Sequence, residues 1–249
     1  MEKKKISPLY KAIKALVRFF YPPAEIIGKE KLPDEPVIVV GNHAQMNGPI
    51  VSELYWPGEH YTWCSGEMME LKEVPDYAFR DFWSRKPRWI RWFYRLLSYI
   101  IAPFSVCIFR NANTIPVYHD ARIMTTFRRT VEKLSSGASV VIFPEHDAPY
   151  DHIICDFQDK FVDVARIYYK KTGRELCFVP IYIAPALKKT YIGASVRYDA
   201  SAAPAEERKR ICGHLMGEIS SIARALPEHR VVPYNNVAKK YYPMNTKVE

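Results

Sequence analysis

The chain has 249 residues, 48% of them hydrophobic, and a net charge of +9. Such apolar content suits one large domain with a sizeable core, without internal repeats or low-complexity segments, and the positive charge suits an anionic partner: a membrane surface, an acidic carrier protein, a nucleotide or a nucleic acid. The five cysteines, at 64, 107, 155, 177 and 212, form no close pair, which argues against a disulfide framework and structural zinc and points to a reducing cytosol.

The N-terminus lacks a continuous apolar core and a small-residue cleavage site, so no secretory signal is expected. After Lys3, Lys4 and Lys5, residues Leu9, Ile13, Leu16, Val17 and Phe20 recur at helical spacing, with Lys11, Lys14 and Arg18 on other faces and Pro22-Pro23 as the stop. The pattern predicts a basic amphipathic helix over 1–22, suited to a membrane interface or to packing on the domain. Four β-branched residues, Val37, Ile38, Val39 and Val40, are bracketed by Pro36 and Gly41 and predict a buried strand. Its carboxyl end would deliver Asn42 and His43 to a loop, where open α/β sheets place their ligands.

Residues 53–113 read as an insertion rich in aromatic and basic side chains. Tyr77, Phe79, Phe82, Trp83, Trp89, Trp92, Phe93, Tyr94 and Tyr99 alternate with Arg80, Arg85, Lys86, Arg88, Arg91 and Arg95. Such interleaving suits the headgroup level of a bilayer or stacking on single-stranded bases, but no nucleic-acid-binding signature accompanies it. A helical layer with solvated arginines would give the same pattern. The longest near-apolar run, 96–109, holds about 14 residues and a proline, short of the roughly 20 needed to cross a bilayer.

Further on, 114–118 reads as a strand and 120–136 as a helix with Ile123, Phe127, Val131 and Leu134 on one face. An apolar strand over 140–147 ends at Pro144-Glu145. A helix is predicted over 157–171, strands over 176–184 and 191–198, and a helix opened by Pro204 that carries Ile211, Leu215, Ile219 and Ile222. The tail from Val231 looks irregular. Alternating strands and helices predict an α/β single domain over 1–249, with a largely parallel central sheet flanked by helices, the N-terminal amphipathic helix and the aromatic-rich helical insertion.

Asn42-His43, Ile115-Pro116-Val117, Phe143-Pro144-Glu145 and Val179-Pro180-Ile181 follow one another behind strands. This order resembles the glycerolipid acyltransferase superfamily typified by 1-acylglycerol-3-phosphate acyltransferase, over roughly 37–184. Its pattern is NHx4D, an I-x-V-x-R segment, FPEGTR and VPI. Gly48 stands where that pattern has an aspartate, His119 where it has an arginine, and His146-Asp147 where it has Gly-Thr. The resemblance implies acyl transfer from a thioester, acyl-CoA or acyl carrier protein, to a lipid or small amine or hydroxyl acceptor. It implies no cofactor beyond that co-substrate and no metal.

Taking a proton from an alcohol or amine requires a base, and a histidine titrates in the right range. His43 is the candidate. In the family the aspartate five residues on orients the imidazole; here Asn47 is the nearest replacement, with Gln45, Glu145 or Asp147 also able to reach across. Glu145, His146, Asp147, His119 and Arg122 are the candidate substrate-binding residues. His119 offers a weaker donor than arginine and Asp147 would repel a phosphate, so an acceptor without a phosphate monoester is expected unless Arg122 compensates.

Three His/Asp neighbour pairs, His119-Asp120, His146-Asp147 and Asp151-His152, open a rival reading as a metal-dependent hydrolase, although their spacing fits no HExxH motif. A third reading is a catalytically inactive, lipid-binding relative. The expected location is cytoplasmic, peripherally associated with an anionic lipid surface, with no nucleic-acid partner.

Overall fold

A computed structural model of the chain describes residues 6–21, 24–84, 86–118 and 120–246, and the side chains among them except those of 147–150. Lys3, Lys4, Lys5, Pro22, Pro23, Arg85 and His119, and the side chain of Asp147, therefore lie outside the described residues. In chain order the helices and strands are α1 (Pro8–Phe20), β1 (Glu25–Ile27), β2 (Val37–Gly41), α2 (Asn47–Tyr55), β3 (His60–Ser65), α3 (Val74–Ala78), α4 (Arg91–Asn111), β4 (Thr114–Val117), α5 (Ile123–Ser135), β5 (Ser139–Ile142), β6 (Glu145–Tyr150), β7 (Cys155–Phe157), α6 (Asp163–Thr172), β8 (Cys177–Ala184), β9 (Lys189–Ile192), β10 (Val196–Arg197) and α7 (Pro204–Ala225). They form two compact units, one of Met1–Pro22 with Trp63–Thr126, the other of Pro23–Thr62 with Phe127–Glu249.

The second unit carries the α/β sheet. Its strands run β1-β9-β8-β2-β5-β3. The β2–β5, β2–β8, β3–β5 and β1–β9 pairs are parallel, and β9 and β10 run antiparallel to β8. Every residue of β2 and of β8 is buried, as expected of central parallel strands covered on both faces. The helices bury the stripes that their spacing dictates: Phe127, Val131 and Leu134 from α5, Val164, Ala165 and Tyr168 from α6, and Ile211, Leu215 and Ile219 from α7. Glycine 173, at φ 70°, stops α6 with its N–H on the Tyr169 carbonyl.

Four elements differ from the pattern in the sequence. Within 53–113, expected as a helical insertion, His60–Ser65 forms β3 and pairs in parallel with β5 in the central sheet. Phe157 ends strand β7, paired with β6, so the helix expected from 157 starts only at Asp163, after a 3-10 turn over Asp159–Val162. The strand expected over 191–198 is split into β9 and β10. Opposite the break lies Pro180, which has no N–H for the ladder; its carbonyl accepts from Gly193 N at 2.9 Å, and three residues of this strand span two of β8. The irregular tail folds back on the unit, with a bridge between Arg230 and Met244.

The first unit is helical around α4. Ser7 N donates to Asn111 Oδ1 at 2.9 Å, which seats α1 on α4. Below, Ser105 Oγ reaches Met68 O and Arg110 Nε reaches Met69 O. Helix α4 is turned inside out relative to a soluble helix. Ser98, Ala102 and Ser105 face inward, whereas Trp92, Phe93, Leu96, Tyr99, Ile100 and Phe104 are exposed, Trp92 by 69%. Together with the turn before it, the segment Arg88–Asn111 comprises 24 residues, long and apolar enough to cross a membrane by length and composition. The sequence hid this length because Arg91 and Arg95 interrupt the apolar run.

Candidate active site

Strand β2 ends in a tightly held turn. Asn42, 1% exposed, makes a two-way bond with β8: its Nδ2 donates to Ile183 O at 3.0 Å and its Oδ1 accepts from Ile183 N at 2.7 Å. The next residues are forced to double back. Ala44 and Gln45 sit at φ 46° and 55°, a left-handed conformation costly for residues with a Cβ and kept only where surroundings over-determine it. Gly48 N then bonds His43 O at 3.0 Å, and α2 begins.

Glu145 fixes the other side of this turn. The first residue of β6, it is 3% exposed, and its carboxylate accepts from His43 N through Oε2 and from Cys155 N at 3.0 Å through Oε1. Burial pushes its pKa up to about 7, against the pull of those two N–H donors. Glu145, expected at the substrate, holds the backbone that carries the histidine.

The imidazole of His43 is framed by rings. Phe143 lies edge-on with centroids 5.5 Å apart, and Tyr234, from the tail, lies edge-on at 5.6 Å. His43 Nδ1 is sealed from solvent and has no hydrogen-bond partner. Burial lowers the pKa of the ring below its ordinary value; the backbone of Gln45 and of His43 itself offsets only part of this. A base acting through Nε2 must carry its proton on Nδ1, where an unsatisfied N–H costs free energy.

The bond expected from Asn47 to the ring is not made at Nδ1. Asn47 is the first residue of α2, and its Nδ2 donates to Ala44 O at 2.7 Å, closing the turn beneath His43. His146 follows Glu145 in β6 and is half-buried. Arg122 belongs to the first unit, where it stacks over the Tyr118 ring at 4.0 Å and pairs with Asp120 at 2.8 Å. Its cation is committed there. Asp151 accepts from Ile153 N, Ile154 N and Ser220 Oγ and pairs with Arg224, a turn-holding role. Among the described residues no group of three His, Cys, Asp or Glu side chains converges as metal ligands do. Burial also pushes the Cys64 and Cys212 thiols up to about 12, far from a nucleophilic thiolate.

No protein-family model and no curated protein matches the chain. Among solved structures, it is similar to the 1-acyl-sn-glycerophosphate (LPA) acyltransferase PlsC from Thermotoga maritima. The two are 18% identical, with a TM-score of 0.51, over 88% of this chain and 80% of that one. The likeness is one of fold.

Gly48 gives this fold a distinctive site. A Cβ at position 48 would lie 2.7 Å from His43 O, 2.8 Å from Phe143 Cε1 and 3.1 Å from Asn42 O. The position that is an aspartate in the superfamily pattern has no room here for any side chain. Phe143 and Tyr234 were missed as site residues. Phe143 is part of the FPE segment and could have been found; Tyr234 stands 191 positions from His43 in an irregular tail, and no sequence signal marks it.

Proposed function

We propose that the chain is an acyltransferase that moves a fatty acyl group from a thioester, acyl-CoA or acyl carrier protein, to a hydroxyl or amine acceptor, with His43 as general base. What carries this reading is the mounting of His43: a sheet of PlsC-like fold ends β2 in a turn that Asn42 and Glu145 lock from two sides. Such rigid mounting is what proximity catalysis requires.

In the reaction, His43 Nε2 takes the proton of the acceptor O–H or N–H as that atom attacks the thioester carbonyl. The new ester or amide bond forms as the C–S bond breaks, and the imidazolium returns its proton to the departing thiolate. No net redox change occurs. The depressed pKa keeps His43 neutral, and so ready as a base, at pH 7, but its imidazolium is poorly stabilised without a partner at Nδ1.

That same orphan nitrogen favours a second reading, a lipid-binding relative without turnover. Incubation of the protein with acyl-CoA and acyl carrier protein thioesters, against phosphorylated and unphosphorylated acceptors and read by mass spectrometry, separates the two. Product from any pair supports the enzyme; none from all pairs, with lipid binding retained, supports the relative. His119 and Asp147 further motivate an acceptor without a phosphate monoester, which the same panel tests.

The protein would work at an anionic membrane surface on the cytoplasmic side, bound peripherally. The exposed Leu9, Leu16, Phe19 and Phe20 of α1 and the outward apolar face of α4 support this, because large apolar side chains clustered on a water-facing surface mark an interaction site.

A further inference from the structure

The tail from 229 to 245 is closed at its root and tied at its tip. At the root, His229 N donates to Asn245 Oδ1 at 2.8 Å, Asn245 N to His229 O at 3.0 Å, and Val231 N to Pro243 O at 2.8 Å. His229 Nε2 lies 2.8 Å from Tyr182 Oη, inside β8, and Asn245 Nδ2 donates to Ala223 O at the end of α7. Both side chains are buried, at 4% and 2% exposure. Desolvating such polar groups is costly, and here the cost is met by bonds that fix where the loop leaves and returns.

At the tip, one side chain makes the ties. Gln45 Nε2 donates to Asn235 O at 3.1 Å, and its Oε1 accepts from Tyr242 Oη at 3.0 Å. Gln45 is also one of the two residues held in the left-handed region, two positions from His43. The loop is thereby joined to the catalytic turn, and beside Asn235 it lays Tyr234 on the imidazole.

We propose that Tyr234 is a positioning residue for His43, and that the 229–245 loop is a strap that delivers it. The proposal rests on His43 as the reacting group. Where no carboxylate or other side chain bonds Nδ1 and no side chain fits at 48, ring packing and water exclusion do the orienting that a carboxylate does in a His-carboxylate pair. Ring contacts fix the plane of the imidazole but supply no carboxylate to stabilise its charged form, so the device trades base strength for alignment.

The test is an NMR titration of the His43 imidazole in the full chain, its signals assigned by their loss in His43→Ala, alongside transfer kinetics. In the native protein His43 titrates below the ordinary value. In Tyr234→Ala the ring becomes hydrated, its titration moves up towards 6.5, and kcat falls roughly tenfold to a hundredfold with little change in KM. Tyr234→Phe restores native behaviour. Gln45→Ala, which removes the side-chain ties to Asn235 and Tyr242 and leaves both rings in place, moves the titration in the same direction, and it decides the matter should Tyr234→Ala fail to fold. An unmoved His43 titration in these variants overturns the proposal, as does Tyr234→Phe behaving like Tyr234→Ala. Absence of transfer in the native protein would sink the acyltransferase reading alone, since the titration reports on positioning without turnover.

Discussion

Glu145 grips His43 by its backbone N–H, and with its second oxygen it takes the N–H of Cys155. Glutamine in its place offers one acceptor and one donor, so one of the two N–H groups would face another donor. Glu145→Gln should cost about 1–3 kcal/mol by denaturant unfolding and reduce transfer by loosening the turn. The pH dependence has a definite sign. Because the folded pKa is raised to about 7, Glu145 contributes stability fully present below about 4.5 and lost as pH rises through 7. Native stability relative to Glu145→Gln should therefore decline across that window, by roughly 3 kcal/mol or less. A difference that does not vary with pH would contradict this.

The pKa of His43 is depressed rather than raised, and the proposed base is active in its neutral form. Transfer should persist as pH falls past 6.5, with the acid limb of kcat/KM below that value. An acid limb above 6.5, or at a pH unchanged by Tyr234→Ala, would show that the limb belongs to another group.

Introducing the aspartate of the NHx4D pattern should do harm. Gly48→Asp places a Cβ against the carbonyls of His43 and Asn42 and against Phe143, and even Gly48→Ala must displace backbone. About 1–3 kcal/mol of destabilisation and a loss of transfer are expected for Ala, more for Asp. A stable, faster Gly48→Asp protein would mean that the turn is plastic.

Why the core was readable and the site only half so is a matter of range. Strand β2 announces itself through four consecutive β-branched residues, and the α5, α6 and α7 faces through 3.6-residue spacing, because each is dictated by neighbours in sequence. Asn42, His43 and Glu145 stand out as residue types, but the direction in which Glu145 points depends on Cys155 pairing across a hairpin. Tyr234 meets His43 in a loop whose Asn235 and Tyr242 bond Gln45, contacts that no local pattern encodes. Helix α4 was masked for the opposite reason: its exposed face is the apolar one, so its periodicity reads as an insertion rather than as a packed helix.

The proposed membrane attachment rests on the exposed apolar side chains of α1 and α4. The full chain should cosediment with vesicles containing anionic lipid at low salt and be partly released as screening shortens the reach of its cations. Removing residues 1–20, or replacing Trp92 and Phe93 by Ser, should weaken binding while leaving the second unit folded by circular dichroism. If the full chain stays in solution with anionic vesicles at low salt, the interfacial reading is wrong.

Replacement of His43 by Ala, assayed with the best donor and acceptor from the panel, tests the central claim most directly. Loss of a general base predicts a fall in transfer of at least roughly 10²-fold to 10⁴-fold, with the fold intact because Glu145 still binds the backbone N–H at position 43. Full activity in His43→Ala would contradict the account.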